Sequence, residues 1–562
     1  MDNNKQESTQ PVYKEKIDWV TFSATFALLI AAVIPLAMNP ERGGEILNSL
    51  NTAVTGTFGV FFLWLGLGIF IFLIYIALSR FGRIKLGKKD ENPQFNTISW
   101  AAMLFCAGIG SSILYWGTIE WVYYYQAPPF GLEVGSSEAI EWAATYGIFH
   151  WGPIAWAMYV LPALPIAYFY YVRQKPVLKV SEACRPILGK LTDGPLGKSL
   201  DIFFMFGLLG SAATTLGLGV PMISAGINNL TGIPDGYPLQ IGILLTVTII
   251  FGFSAFSGLQ KGIKVLSDWN LWIAAILLLF VLFVGPTLFL LKMGTNSIGL
   301  LLDNFFRMSM WTDPIENSGF PEAWTIFYWA WWLVFAPFIG LFIAKISKGR
   351  TVRQIILGSV GYGTLGCALF FIVFGNYGLY LQVEGILDVV GIVNDQGDAT
   401  AIIAIIDSLP LGAIAVALFV VLATIFLATT FDSASYILAA ITQDKVDDDP
   451  IRWNRLFWAF SISILPMILM FIGGLKPLQA MTTLGAVPIF PIIILMAFSF
   501  IKAIKRDELV PENWEQYTTE DSMSYKKREE KRKKLEEKER KKEEEKERRK
   551  EGKRVKKDEK KK

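Results

Sequence analysis

Trp324-Thr-Ile-Phe-Tyr-Trp-Ala-Trp-Trp332 puts four Trp, one Phe and one Tyr into nine residues, near the start of an apolar run that continues to Ile346. About 20 apolar residues cross a bilayer as a helix, so the stretch reads as the head of a membrane span. Its aromatic density fits two arrangements. One is a belt at the membrane–water interface, where Trp and Tyr suit a half-apolar, half-wet setting. The other is a box inside the protein. A second cluster, Phe149-His-Trp-Gly-Pro-Ile-Ala-Trp-Ala-Met-Tyr159, also lies within an apolar segment, with Trp151 and Trp156 five residues apart. Two internal clusters together can line a box. The ligand that most needs one is a quaternary ammonium, which has no hydrogen-bond donor and is held by cation–π attraction.

Similar apolar runs recur outward from these two. The chain has 562 residues, 53% of them hydrophobic, and a mean hydropathy of +0.42. A soluble chain of this length would divide into domains of lower apolar content. The pattern predicts an all-α polytopic membrane protein with twelve transmembrane helices, over 18–38, 54–79, 98–125, 138–171, 199–228, 238–256, 266–292, 323–346, 353–382, 400–440, 452–474 and 477–503. The tenth run is long enough to include a re-entrant start. Basic residues gather in alternate loops: Arg80, Arg83, Lys85, Lys88 and Lys89; Arg173, Lys175, Lys179, Arg185 and Lys190; Lys261 and Lys264; Lys345, Lys348, Arg350 and Arg353. The intervening loops are acidic, as at Glu133 and Glu138, or Glu384, Asp388, Asp395 and Asp398. The positive-inside rule then places both termini in the cytoplasm of a multi-pass protein of the cell membrane. No cleaved leader is expected, because the apolar run after the polar residues 1–17 is too long for one.

Several function classes are disfavoured. Cys106, Cys184 and Cys367 are widely spaced and imply neither a disulfide framework nor a zinc site. The lone His150 cannot build a metal site and reads as a hydrogen-bonded packing residue. The chain lacks a phosphate-binding Gly-rich loop with Lys-Ser/Thr, a nucleophile elbow and a metal-ligand helix, so neither an enzyme nor an organic cofactor nor nucleic-acid binding is expected. The tail 526–562 holds 22 basic and 12 acidic residues, against a net charge of +3 for the whole chain. It reads as a solvated charged helix or arm. It serves either as an anchor or as a sensor drawn to anionic lipid and screened by salt.

Two polar interruptions carry the candidate chemistry. Gly108-Ile-Gly110-Ser-Ser112 breaks the third span. It allows either close helix packing or a local unwinding that offers amide N–H groups to an anion and carbonyls to a cation. Phe426-Leu-Ala-Thr429-Thr430-Phe-Asp432-Ser-Ala-Ser435 is a hydroxyl-rich break in the tenth. Its hydroxyls either bond back to the preceding turn or supply the hard oxygen ligands that sodium takes. Asp432 is expected to pair with a base, and Glu120, Asp201 and Asp268 to be structural. The eighth span carries Pro337 and Gly340, which reads as a break matching that of the third, and such pairs point to a midplane site.

At these residues the chain resembles the betaine–carnitine–choline transporter family. The resemblance covers nearly all of 15–505. It rests on Trp324–Phe335 continuing through Ala-Lys345-Ile-Ser-Lys-Gly-Arg-Thr351, on Phe149-His-Trp-Gly152, on Gly258-Leu-Gln-Lys-Gly262 and on Gly474-Leu-Lys-Pro477. It implies a LeuT-like core of two inverted five-helix repeats preceded by two extra helices, and a homotrimer. The chain then divides into a cytoplasmic segment 1–17, two peripheral helices and a linker 18–97, a first repeat 98–292, an external loop or helix 293–322, a second repeat 323–503 and a charged cytoplasmic tail 504–562. The resemblance further implies a trimethylammonium cage of Trp151, Trp156, Tyr159, Trp331 and Trp332. Phe335 stands where relatives carry Trp or Tyr, and Tyr123 is the counterpart of a Tyr that joins the site in the family's exchangers. Gly108, Ile109 and Gly110 line the unwound stretch beside the substrate. A sodium site would use Cys106, Ile109, Phe426, Thr429 and Thr430, and a second sodium site would lie near Ser211 and Phe338. The carnitine exchangers replace sodium by an Arg early in the seventh span, where this chain reads Ser267-Asp-Trp-Asn270-Leu-Trp. Tyr-Trp-Gly-Thr-Ile-Glu120 and Pro128-Pro-Phe-Gly-Leu-Glu133 look like the carnitine branch. The expectation is sodium-coupled uptake of a zwitterionic quaternary ammonium solute, glycine betaine or carnitine. The rivals are a sodium-independent exchanger, a proton-coupled choline importer and an osmosensor read out through its tail.

Overall fold

A computed structural model of the chain describes residues 17–174, 179–257, 259–444, 450–472 and 475–507, with 537, 540 and 541; the side chains of 106–109 and 253–268 are outside the description. The helices in chain order are α1 (Trp19–Met38), α2 (Pro40–Leu78), α3 (Thr97–Ile109), α4 (Ser112–Gln126), α5 (Ser137–His150), α6 (Pro153–Ala167), the single turns α7 (Val180–Ala183) and α8 (Arg185–Leu188), α9 (Pro195–Thr231), α10 (Tyr237–Ser257), α11 (Leu259–Val284) and α12 (Thr287–Met310). They continue with α13 (Phe327–Ile346), α14 (Val352–Phe370), α15 (Asn376–Val383), α16 (Val389–Gln396), α17 (Asp398–Asp407), α18 (Gly412–Ile441), α19 (Arg452–Ile472) and α20 (Leu475–Asp507). Side-chain caps open many of them. Asp18, Asn39, Asn96 and Ser136 accept from backbone N–H groups of the first turn, and Thr351 with Gln354 forms a capping box.

Among the described residues nine helices are long and apolar enough to cross a bilayer, ten if the bent pair Trp269–Val284 and Thr287–Met310 counts as one. The third, sixth and seventh expected spans are the ones that miss this test. The third is split at Gly110-Ser111. The seventh ends at Val284, and the chain turns by 108° into α12, so a helix begins at Thr287 where the sequence reading continued the span to 292. The tenth is likewise shorter than expected. Leu411 in the left-handed region separates α17 from α18, so only Gly412–Ile441 is continuous helix.

The expected break in the eighth span does not occur. Helix α13 runs unbroken through Pro337, preceded by a π-helical turn over Pro321–Ile326. Gly340 serves packing instead: a Cβ there would sit 2.7 Å from Pro162 Cγ and 2.9 Å from the Ala163 backbone nitrogen, so its absence lets α13 lie directly on α6. These are the most enclosed spans, with 94% of their apolar windows buried, against 33% for α1 at the periphery.

The loop chemistry sorts the bundle into two ends. At one end, Gly349 N–H donates to Leu86 O (2.7 Å) and Val352 N–H to Ile84 O (2.8 Å), so two of the basic loops are laced together. Tyr171 OH donates to Lys345 O (3.0 Å) and Arg173 pairs with Asp507 (2.8 Å) at the same end. Asp18 accepts from Lys198 (2.9 Å) and faces Lys179 (3.4 Å), while its N–H donates to Thr442 O (2.8 Å). At the other, Tyr115 and Tyr123 reach Asp398 of the acidic loop region. The tail 526–562, apart from residues 537, 540 and 541, lies outside the described residues, as do the side chains of Lys261, Lys264 and Asp268.

Candidate functional site

The aromatic half is assembled where α5 gives way to α6. The fourth span, which reads as one continuous run, is two helices. His150 ends the first, Trp151 and Gly152 leave helical geometry, and Pro153 opens the second, where a missing N–H is harmless. The corner carries Trp151 against α13. Trp331 and Trp332 stack with ring centroids 5.2 Å apart and planes 7° from parallel. Trp151 stands across them, 4.7 Å and 74° from Trp332 and 5.9 Å and 81° from Trp331. Tyr159 closes on Trp332 at 5.7 Å and 82°. Tyr328, one turn before Trp332, lies 5.7 Å from it at 23°. All five rings are buried. Perpendicular indole faces around one point suit a cation better than a stack alone.

The remaining expected cage residues stand further off. Trp156 meets the cluster only through Tyr159, 5.7 Å away. Its indole fills the place a Cβ on Gly363 of α14 would take, 2.1 Å from that position. Phe335 is buried and its recorded ring partner is Phe338, at 6.0 Å. Tyr123 lies one layer outward, 4.9 Å from Trp324 and 6.2 Å from Trp116, and Trp116 in turn is 6.4 Å from Trp331. Its hydroxyl and that of Tyr115 both donate to Asp398 Oδ2, at 2.7 and 2.6 Å.

Beneath the cage sits a buried polar cluster that sequence reasoning assigned only to structure. Glu120 Oε2 accepts from Trp151 Nε1 (3.0 Å) and Tyr328 OH (2.6 Å), and Oε1 accepts from Tyr124 OH. His150 Nδ1 lies 2.8 Å from the Tyr124 oxygen and Nε2 lies 3.0 Å from Thr325 Oγ1. With the Tyr124 proton committed to the carboxylate, Nδ1 is the donor to the Tyr124 oxygen. Trp332 Nε1 donates to the His150 carbonyl (2.8 Å). The signal in the sequence was thin. Glu120 lies 208 residues from Tyr328, and no spacing rule connects them.

The hydroxyl half surrounds the break in the third span. Helix α3 ends at Ile109, Gly110 takes φ +53°, and α4 starts at Ser112. A Cβ at Gly110 would fall 2.5 Å from Thr430 Oγ1, so only glycine meets both the backbone angle and the space. Thr430 Oγ1, Ser111 Oγ and Ser211 Oγ are buried with no hydrogen-bond partner among the described residues. Thr429 Oγ1 instead bonds back to Ile425 O (3.0 Å) and Phe426 O (3.1 Å) of its own helix. Ser112 Oγ lies 3.5 Å from Thr215 Oγ1. The side chains of Cys106, Gly108 and Ile109 are outside the described residues. Orphaned hydroxyl oxygens beside an unwound turn are the donor set a hard cation takes. Ser211 and Phe338 stand on α9 and α13, which pack together. Asp432 faces Arg455 at 3.6 Å, both buried, so its expected pairing with a base is present.

Residues 20–509 match the family described as betaine/carnitine/choline family transporter. The chain belongs to this transporter family. The glycine betaine transporter OpuD of Bacillus subtilis is 35% identical over 492 residues, which cover 87% of this chain and 94% of that protein. A carnitine transporter of Acinetobacter baumannii is 32% identical over 510 residues, covering 90% and 92%. The uncharacterized transporter YeaV of Escherichia coli is 36% identical over 438 residues, covering 77% and 91%. The chain is thus an all-α, polytopic secondary transporter of quaternary ammonium solutes, and not an enzyme.

Proposed function

We propose that this transporter takes up a zwitterionic quaternary ammonium solute, glycine betaine or carnitine, by sodium-coupled alternating access. The observation that carries the reading is a pair of unlike buried surfaces on helices that both pack against α3. Perpendicular Trp151, Trp331, Trp332 and Tyr159 faces suit a trimethylammonium group, and orphaned Ser111 and Thr430 hydroxyls flank a broken helix. The carboxylate of the solute has two candidate donors in the indole N–H groups of Trp331 and Trp116, buried and without a partner among the described residues. Sodium beside Gly110 would stabilise the unwound turn in the form that binds substrate. Linkage then requires substrate to raise sodium affinity by the same factor. Phe426, Thr429 and Thr430, with the backbone of the α3 end, complete this ion site. A second sodium near Ser211 and Phe338 belongs to the same proposal.

Loop charge and family resemblance extend the proposal to a homotrimer in the cell membrane with both termini cytoplasmic, its basic tail beside anionic lipid. The test is substrate uptake into proteoliposomes across an imposed sodium gradient. Uptake should fall to background when potassium replaces sodium. Undiminished uptake without sodium, accelerated by substrate preloaded inside the vesicle, would establish the exchanger instead.

A further inference from the structure

Glu120 is fully buried; the Nδ1 of His150 lies 3.5 Å from its Oε1, and among the described residues no Lys or Arg pairs with it. Three side chains from three different segments donate to its two oxygens. Tyr124 comes from α4 itself, Trp151 from the α5–α6 corner and Tyr328 from α13. Two of the three present ring faces to the cage. The carboxylate holds Trp151 by its indole N–H and Tyr328 by its phenol, while Trp332 is held by the carbonyl of His150, the residue before Trp151. Hydrogen bonds to an ionised acceptor are shorter and about twice as strong as neutral ones. The two rings are therefore fixed at their polar ends, which lie away from the faces a cation would use.

We infer that Glu120 is a positioning residue for the cage, which sets the planes of Trp151 and Tyr328 and thereby the affinity for the trimethylammonium group. This rests on the cage reading above. A glutamate side chain is suited to the task because both of its oxygens face donors. Glutamine is not, since one of its two ends is an NH2 that would face a donor. A satisfied network of this kind rigidifies its surroundings, and a half-satisfied one is worse than none.

The experiment measures uptake kinetics with radiolabelled glycine betaine and carnitine for Glu120→Gln, Trp151→Phe, Tyr328→Phe and their combinations, in the full-length protein. Tyr328→Phe keeps the ring and removes only the donor, whereas Trp151→Phe removes the donor together with part of the π face. Glu120→Gln should raise KM tenfold or more and change the maximal rate far less. In the Trp151→Phe/Tyr328→Phe background it should add less than a further twofold, because the groups it acts through are already released. A wild-type KM in folded Glu120→Gln protein, or the full penalty in the double background, overturns the inference. If Glu120→Gln does not yield monodisperse protein, the clean donor deletion Tyr328→Phe decides. A raised KM in it upholds the inference, and a wild-type KM overturns it. Trp332→Leu separates this from the cage itself. If that change alone abolishes affinity while Glu120→Gln does not alter it, the cage stands and only the role of Glu120 falls.

Discussion

Trp332 and Thr430 sit on helices that both pack against α3, yet their surroundings differ in kind. The ring of Trp332 touches Trp151, Trp331, Tyr159 and Tyr328, and its N–H is bonded to the His150 carbonyl. The hydroxyl of Thr430 lies 2.5 Å from where a Cβ on Gly110 would stand and has no hydrogen-bond partner among the described residues, and Ser111 is in the same condition. A buried polar group left unpaired costs about 1–3 kcal/mol. The aromatic wall is thus built to keep its shape, while the hydroxyl wall is at its most stable only when something else supplies the missing interaction. A preformed surface for the organic cation and an incomplete one for the inorganic cation is the asymmetry expected where ion binding helps organise the substrate site.

The hardest blow to this contrast would come from the wall that looks finished. Trp332→Leu removes two perpendicular and two stacked ring contacts at once. Cation–π contacts contribute roughly 0.5–2 kcal/mol each. Apparent affinity for glycine betaine or carnitine should fall about tenfold or more, with sodium still able to bind the protein. Uptake kinetics equal to wild type in inserted Trp332→Leu protein would remove the cage from the substrate path.

The unfinished wall gives a finer test, because its two threonines are unequal. Thr430→Ala deletes an orphaned hydroxyl and should leave the melting temperature unchanged or slightly raised. It should raise the sodium concentration for half-maximal uptake roughly threefold to tenfold, the scale of one net hydrogen bond of about 0.5–1.5 kcal/mol. Thr429→Ala deletes a hydroxyl already bonded to Ile425 and Phe426 and should shift sodium dependence less. Sodium titration of uptake for the two variants ranks them. The reverse ranking would move the ion to the other side of α18.

Much of this was legible in the sequence because the residues concerned carry their chemistry with them. Nine residues with six aromatic rings in an apolar run could hardly be lipid-facing filler, and paired Gly and Ser in a span signalled a break that the φ of Gly110 bears out. What could not be read was direction. Residues 331, 332 and 335 share a run, yet Phe335 meets Phe338 while Trp331 and Trp332 meet Trp151. Trp156 turns toward α14 because Gly363, more than 200 positions away, leaves a slot for its indole. The same holds for Glu120, whose donors come from elements that only the fold brings together. Proline misled in the opposite sense. Pro337 lies buried inside an unbroken helix, whereas the Gly152-Pro153 pair is where the fourth span divides.

The smallest effect on the contrast should come from a charge cluster that belongs to neither wall. Asp18 caps α1, accepts from Thr21 N–H at 3.3 Å and lies beside Lys198 and Lys179 at the basic end of the bundle. Burial alone would raise its pKa, but the bonds from Lys198 and Thr21 and the charge of Lys179 outweigh it and hold the carboxyl down at about 2. The sign follows from linkage. A carboxyl whose folded pKa lies below its unfolded value contributes stability that is complete above the unfolded pKa and drains away as pH falls toward the folded one. Between pH 5 and 8 the contribution is constant, so this cluster gives transport no pH dependence in that range. Asp18→Asn should lower the melting temperature by a few degrees at pH 7 and narrow the gap to wild type as pH drops below about 4. The KM for substrate and the half-saturating sodium concentration should both stay at their wild-type values. A shift in either would mean that the α1 end, through the Thr442 carbonyl at the close of α18, is coupled to the hydroxyl wall after all.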